Sequence, residues 1–157
     1  MKKPLLKSLC SFSVIVIFLL IGTFSAFASP DTLPGDITST IEGLITIRNP
    51  EAVSSSTTNS KLALSAVASP GTVVTVYRYD ANTNTYNKIL VDDAPLEATI
   101  GASWLFATQV DLSAGQNHFL IRGAWDDETY SVSRFDVSLL NEGFMDRVKG
   151  IISVIFN

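Results

Sequence analysis

The sequence predicts an all-β fold: an antiparallel β-sandwich of seven to eight strands, followed by a short C-terminal amphipathic helix. Three observations predict it. Apolar and polar residues alternate with period two in successive runs between residues 44 and 140, Gly, Pro, Asn and Asp turn signals separate the runs, and no helical period occurs before residue 141.

The chain opens on a targeting pattern. Lys2, Lys3 and Lys7 precede Leu9 to Ala28, twenty residues without a charge that end in Ala26-Phe27-Ala28, the small-x-small signature of a signal-peptidase site. Residues 1–28 therefore read as a signal peptide, and the mature protein as secreted or held at the extracellular cell surface. Left uncleaved, the same run is long enough to serve as a membrane anchor. Cys10 lies too early, behind Lys7-Ser8-Leu9, to mark a lipid attachment site. The segment carries three of the 11 Lys and Arg residues and none of the 15 Asp and Glu, so its removal takes the formal charge from −4 to −7. That balance argues against nucleic acid as a partner, because phosphates need a basic footprint. Cys10 is the one cysteine, so the mature chain has neither thiol nor disulfide and must be stabilised by packing. The remaining 129 residues suffice for one domain that buries roughly two-thirds of its unfolded surface.

The elements follow in order. Residues 29–40, with two prolines and a glycine, read as a flexible linker. Leu44 to Arg48 is a strand closed by Asn49-Pro50, where proline lacks the donor that a ladder needs. Ser54 to Ser60 is hydroxyl-rich and reads as a mobile loop, and Leu62 to Val67 is the next strand. Thr72 to Tyr79 is β-branched and aromatic, with Val74 and Val76 directed inward. Asp80-Ala81-Asn82-Thr83-Asn84-Thr85 has the Asp-x-Asn-x-Asn spacing of a calcium loop. It carries Thr85 where the glycine and Val91 where the bidentate glutamate belong, so it reads as a turn into Tyr86 to Val91. Glu97 to Ile100 is a short strand. Trp104 to Ala124 reads as a β-hairpin, with Phe106 and Val110 on the inward face, Gly115 and Asn117 in the turn, and Phe119 and Ile121 resuming the alternation. Trp104, two residues from Phe106, is expected in the core with it. In the last strand, Tyr130 to Leu140, Val132 and Phe135 have opposite parity, which predicts a β-bulge or an edge position.

Two of these runs carry a resemblance. Val74-Thr75-Val76-Tyr77 after Pro70-Gly71, and Phe106-x3-Val110-x-Leu112-x2-Gly115-x-Asn117-x-Phe119-x-Ile121-x2-Ala124, resemble the bacterial immunoglobulin-like domains of secreted and cell-surface proteins, including the accessory domain of glucodextranase. The likeness covers residues 42–140, within a domain drawn at 41–140. It implies a sandwich used as spacer, stalk, adhesive module or accessory to another domain, and it supplies no catalytic residues. Members usually stand in tandem or beside a larger domain, whereas this chain shows one copy and adds residues 141–157.

In that addition Phe144, Val148, Ile151 and Ile155 fall on one helical face, which is expected to pack over the sandwich; left uncovered, it is a candidate partner-binding surface. It is too short to span a bilayer and could touch a membrane only weakly. Little else suggests chemistry. His118 alternates outward from Phe119 and Ile121, and Asp92-Asp93 and Asp126-Asp127-Glu128 lie beside turns, where carboxylates are solvated. No cofactor or metal site and no enzyme are expected. The leading expectation is a non-catalytic module acting through contacts with a protein or another cell-envelope component. The alternative is a carbohydrate-binding module, with Tyr77, Tyr79 and Trp125 as candidate ligand-stacking residues for a polysaccharide.

Overall fold

The computed structural model describes residues 28–141, 143 and 151–153. They form an all-β chain of twelve strands: β1 (Thr32–Pro34), β2 (Ile45–Asn49), β3 (Ser54–Thr57), β4 (Lys61–Ala68), β5 (Val73–Asp80), β6 (Thr85–Lys88), β7 (Leu90–Val91), β8 (Ala94–Pro95), β9 (Glu97–Thr99), β10 (Leu105–Asp111), β11 (Gly115–Ala124) and β12 (Tyr130–Leu139). A smaller sheet has the order β10-β4-β2, and a larger one runs β1-β6-β5-β11-β12-β3, with β9 also paired to β5. Pairing is antiparallel except between β3 and β12. The β7–β8 hairpin turns at Asp92-Asp93, both with positive φ, the left-handed pair whose twist suits a two-residue hairpin.

Alternation along the strands builds one core between the sheets. Ile45, Leu64, Ala66, Phe106 and Val110 of the smaller sheet meet Val74, Val76, Phe119, Ile121, Phe135 and Val137 of the larger. Apart from Ala66, each such side chain stabilises the fold by roughly 1.5–3 kcal/mol relative to exposure. The sheets approach closely where Gly123 of β11 faces Ile45 of β2: a Cβ on Gly123 would lie 2.9 Å from that of Ile45.

Trp104 to Ala124 is not a hairpin. Its strands lie in different sheets, β10 beside β4 and β11 between β5 and β12, so residues 112–114 carry the chain across the core. Alternation fixes which residues face inward but not which strand lies alongside. Phe106, Val110, Phe119 and Ile121 are buried as expected, while Trp104 is half exposed. It precedes the first residue of β10 and has φ 60°, so the strand's pleat does not extend to it.

The N-terminal segment is also part of the fold and not a flexible linker. β1 pairs with β6, and Leu33 and Ile37 pack on Tyr77, Tyr86, Leu120, Tyr79 and Val132, on the face of the larger sheet opposite the shared core. Arg134 donates to the carbonyls of Gly35 and Ile37, and Val132 N donates to Ser39 O at 2.9 Å. This cover also accounts for the parity of the last strand. β12 pairs with β11 in unbroken register from Tyr130 to Leu139, without a bulge. Val132 packs beneath the N-terminal segment while Phe135 packs in the shared core. Residues 54–57, expected in a mobile loop, form β3, which adds to the free edge of β12 after the chain leaves β2 at the cis Asn49–Pro50 bond.

Candidate functional site

Strand register gathers four loops at one end of the molecule. Ile45 pairs with Ala68, Val67 with Leu105, Val73 with both Thr99 and Ala124, and Ala124 with Tyr130, so the segments 41–44, 69–72, 100–104 and 125–129 adjoin. Backbone bonds join segments 69–72 and 100–104 and close the 125–129 turn. Ala68 N donates to Trp104 O at 3.0 Å, Gly71 N to Ile100 O at 2.8 Å, and Trp125 N to Thr129 O at 3.0 Å.

Two tryptophans project from this end, Trp104 at 49% and Trp125 at 51% exposure, and Leu105 beside the first is also exposed. A large L-residue at positive φ is rare, because its Cβ crowds the following carbonyl at a cost of roughly 1–2 kcal/mol. Trp104 holds that conformation with about half of its surface left exposed. The adjoining acidic turn is internally fixed: Asp126 Oδ1 accepts from Thr129 N at 2.6 Å and Glu128 N at 3.0 Å, which holds its carboxyl below the ordinary range. Asp127 and Glu128 face solvent.

The expected stacking residues do not come together. Tyr77 is fully buried, its Oη donating to Pro30 O at 2.8 Å, and burial pushes the hydroxyl up to about 12; it cannot stack on a ligand. Tyr79 is half-buried, with its ring 5.2 Å from that of Tyr86 and its Oη on Asn84 Oδ1. It lies at the far end of β5 from Val73, the residue beside Trp125's loop, a separation of about 20 Å at the strand rise. Trp125 is exposed, and Trp104 is exposed on another loop at the same end of the molecule. Of the C-terminal face, Ile151 is helical and exposed, and Phe144, Val148 and Ile155 lie outside the described residues. So do residues 1–27 of the signal segment. No helix among the described residues is long and apolar enough to cross a membrane.

A second polar constellation lies beneath the N-terminal segment. Thr75 Oγ1 is 2.7 Å from Ser29 Oγ and 2.8 Å from Glu97 Oε2, and Arg122 Nη1 donates to Ser29 Oγ at 3.3 Å. Thr75 has one hydroxyl proton and a carboxylate only accepts, so Thr75 donates to Glu97 and the Ser29 hydroxyl donates to Thr75. Lys88, its side chain 7% exposed, lies 3.4 Å from Asp31 and 3.7 Å from Glu97. Arg122 lies over the Tyr130 ring at 4.6 Å and also donates to Asp126 O. These groups satisfy one another and link the N-terminal segment to β5, β6, β9 and β11.

His118 Nδ1 lies 2.7 Å from Asp136 Oδ1, its cross-strand partner, with both side chains about 40% exposed. It is solvent-facing as the alternation predicts, and the pair is a cross-strand contact worth roughly 0.2–1 kcal/mol. Among the described residues no three His, Cys, Asp or Glu side chains converge as metal ligands. Sequence reasoning missed the exposure of Trp104 and the network around Ser29. Gly101-Ala102-Ser103, a turn-forming run just before the tryptophan, is the one signal that could have placed Trp104 outside the strand. The chain matches no protein-family model, and no curated protein matches it.

Proposed function

We propose that this protein is an exported, non-catalytic immunoglobulin-like β-sandwich module that binds a protein of the cell envelope through the loop end bearing Trp104 and Trp125. The observation that carries this reading is the pair of half-exposed indoles on hydrogen-bonded loops, one of them held at positive φ. Strain at a residue whose ring stays half exposed points to a role outside the fold. Tryptophan is the residue type most enriched among interface hot spots, because it contributes a large, rigid contact area.

The immunoglobulin-like assignment is supported by the path of the chain. After β2 it leaves the smaller sheet and pairs parallel with the last strand, returns as β4, crosses to β5, comes back between β9 and β10, and crosses again between β10 and β11. The non-catalytic assignment is supported by what the charged groups near one another do: Lys88, Glu97 and Arg122 anchor the N-terminal segment, and Asp126 caps a turn. Export rests on the leader pattern.

The exposed tryptophans also favour a second reading, in which the same end stacks on the sugar rings of a polysaccharide. Sedimentation with isolated cell envelopes separates the two. Protease treatment of the envelopes should abolish binding of the wild-type protein, and periodate treatment should leave it intact. The opposite pattern assigns the site to glycan. Equal binding by wild type and a Trp104→Ala/Trp125→Ala variant removes this end of the molecule from function.

A further inference from the structure

We propose that the Ala28–Ser29 bond is a proteolytic processing site that folding itself closes, so that the order of cleavage and folding decides whether the protein is released or stays attached to its leader. The proposal rests on the reading of residues 1–28 as a signal segment. Hydrolysis at this bond breaks the Ala28 C–N linkage. Water supplies the hydroxyl of the new Ala28 carboxyl group and a proton to the new Ser29 amine.

The residue on each side of that bond has a different fate. Ala28 is exposed, whereas Ser29 is 3% exposed and its Oγ is held between Thr75 and Arg122. The next residues are equally fixed. Tyr77 Oη donates to Pro30 O at 2.8 Å, Lys88 N donates to Asp31 O at 3.0 Å, and Thr32–Pro34 then enter the ladder with β6. A protease binds its substrate as an extended strand through main-chain groups on both sides of the scissile bond. In the folded protein the groups on the Ser29 side are already engaged. Cleavage then follows the small population in which this segment has lifted from the sheet.

The leader can nevertheless stay attached to a folded domain, because the chain leaves the docked segment through an exposed residue. Two stable products result. Chains cut before docking are released with Ser29 as their first residue, and chains that dock first keep the leader as an anchor. The buried hydroxyl at Ser29 also fixes the register of the cut. Cleavage a few residues later would remove Ser29 and the Pro30 carbonyl from their partners on β5 and β11.

The test compares the purified full-length precursor, folded in detergent micelles, with a synthetic peptide of residues 15–40 in the same micelles. Both are exposed to purified signal peptidase, and products are read by intact mass. The peptide is expected to be cut after Ala28, and the folded precursor about 100-fold more slowly, as the loss of several simultaneous hydrogen bonds implies. A Tyr77→Phe precursor keeps the ring but loses the bond to Pro30, and should be cut about fivefold faster than wild type. Cleavage of the folded precursor within threefold of the peptide rate would overturn the proposal. So would protection that Tyr77→Phe leaves unchanged, since the block would then lie elsewhere. A peptide left uncut at Ala28 would instead overturn the leader reading on which the proposal stands.

Discussion

Asn117 grips Ser113 with both ends of its side-chain amide: Oδ1 accepts from Ser113 N and Nδ2 donates to Ser113 O, each at 2.8 Å. Nδ2 also reaches Gly115 O at 3.1 Å and Val137 O at 3.3 Å. The amide thereby clamps the corner at which the chain passes from the smaller sheet to the larger. Asn117→Ala should cost about 1–2 kcal/mol, because the buried Val137 carbonyl loses a donor and the part-buried bonds that hold the corner are removed. Asn117→Asp should cost at least as much, since its carboxylate would face carbonyl oxygens. Thermal melts of both variants measure this, and a shift no larger than that of an exposed Gln109→Ala control would show that the corner holds without the amide.

Gly123→Ala should destabilise by about 1–3 kcal/mol, the usual cost of overpacking a close-packed contact. The added methyl carbon meets the Cβ of Ile45 at 2.9 Å, so β2 or β11 must shift its backbone. Urea unfolding of the variant checks the magnitude, and an unchanged midpoint would place the two sheets farther apart at this point.

Burial raises the Tyr77 hydroxyl from 10.0 to about 12, against the opposing charge of Arg122. The folded state therefore holds this proton more tightly than the unfolded chain. Its contribution to stability is complete below pH 10 and is lost as pH rises from about 10 toward 12. Over that window the protein should lose roughly 1–3 kcal/mol. Tyr77→Phe should start lower by about 1 kcal/mol, for the lost bond to Pro30, and should flatten the alkaline slope. Denaturant midpoints taken between pH 8 and 12 compare the two, and parallel slopes would assign the alkaline loss to other groups.

Deleting residues 29–39 should lower the melting temperature sharply, since it exposes Tyr77, Leu120 and Val132 and removes the carbonyl partners of Arg134 and the Asp31 partner of Lys88. The loss of Leu33 and Ile37 alone is worth roughly 3 kcal/mol or more. A truncated protein that melts with the intact one would return this segment to the status of a linker.

Much of the fold is legible in the sequence, for reasons that also set the limit. Period-two alternation located β2, β4, β5, β9, β10, β11 and β12 and chose the inward face correctly at Val74, Val76, Phe106 and Phe119. It carries no information on pairing partners, so the β10–β11 corner resembled a hairpin until register separated the strands. The segment 29–40 escaped because its contacts are long-range. Ser29, Pro30 and Gly35 are ordinary loop residues whose partners, Thr75, Tyr77 and Arg134, lie 46 or more positions away. Val132 and Phe135 held the clue to it: two apolar residues of opposite parity on one strand require apolar cover on both faces. Of the candidate site, Trp125 was legible from its place beside an acidic turn. Trp104 was not, since a reversal of φ just before a strand leaves no trace in apolar periodicity.

The most direct test of the account is the affinity of wild type, Trp104→Ala and Trp125→Ala for isolated cell envelopes, measured beside their melting temperatures. Both side chains are half exposed, so each variant should stay folded and lose no more than roughly 1–3 kcal/mol of stability. Removal of a tryptophan at the centre of a contact typically costs 2 kcal/mol or more, so each variant should bind at least about 30-fold more weakly. Variants that keep full affinity would contradict the assignment of this loop end as the binding surface.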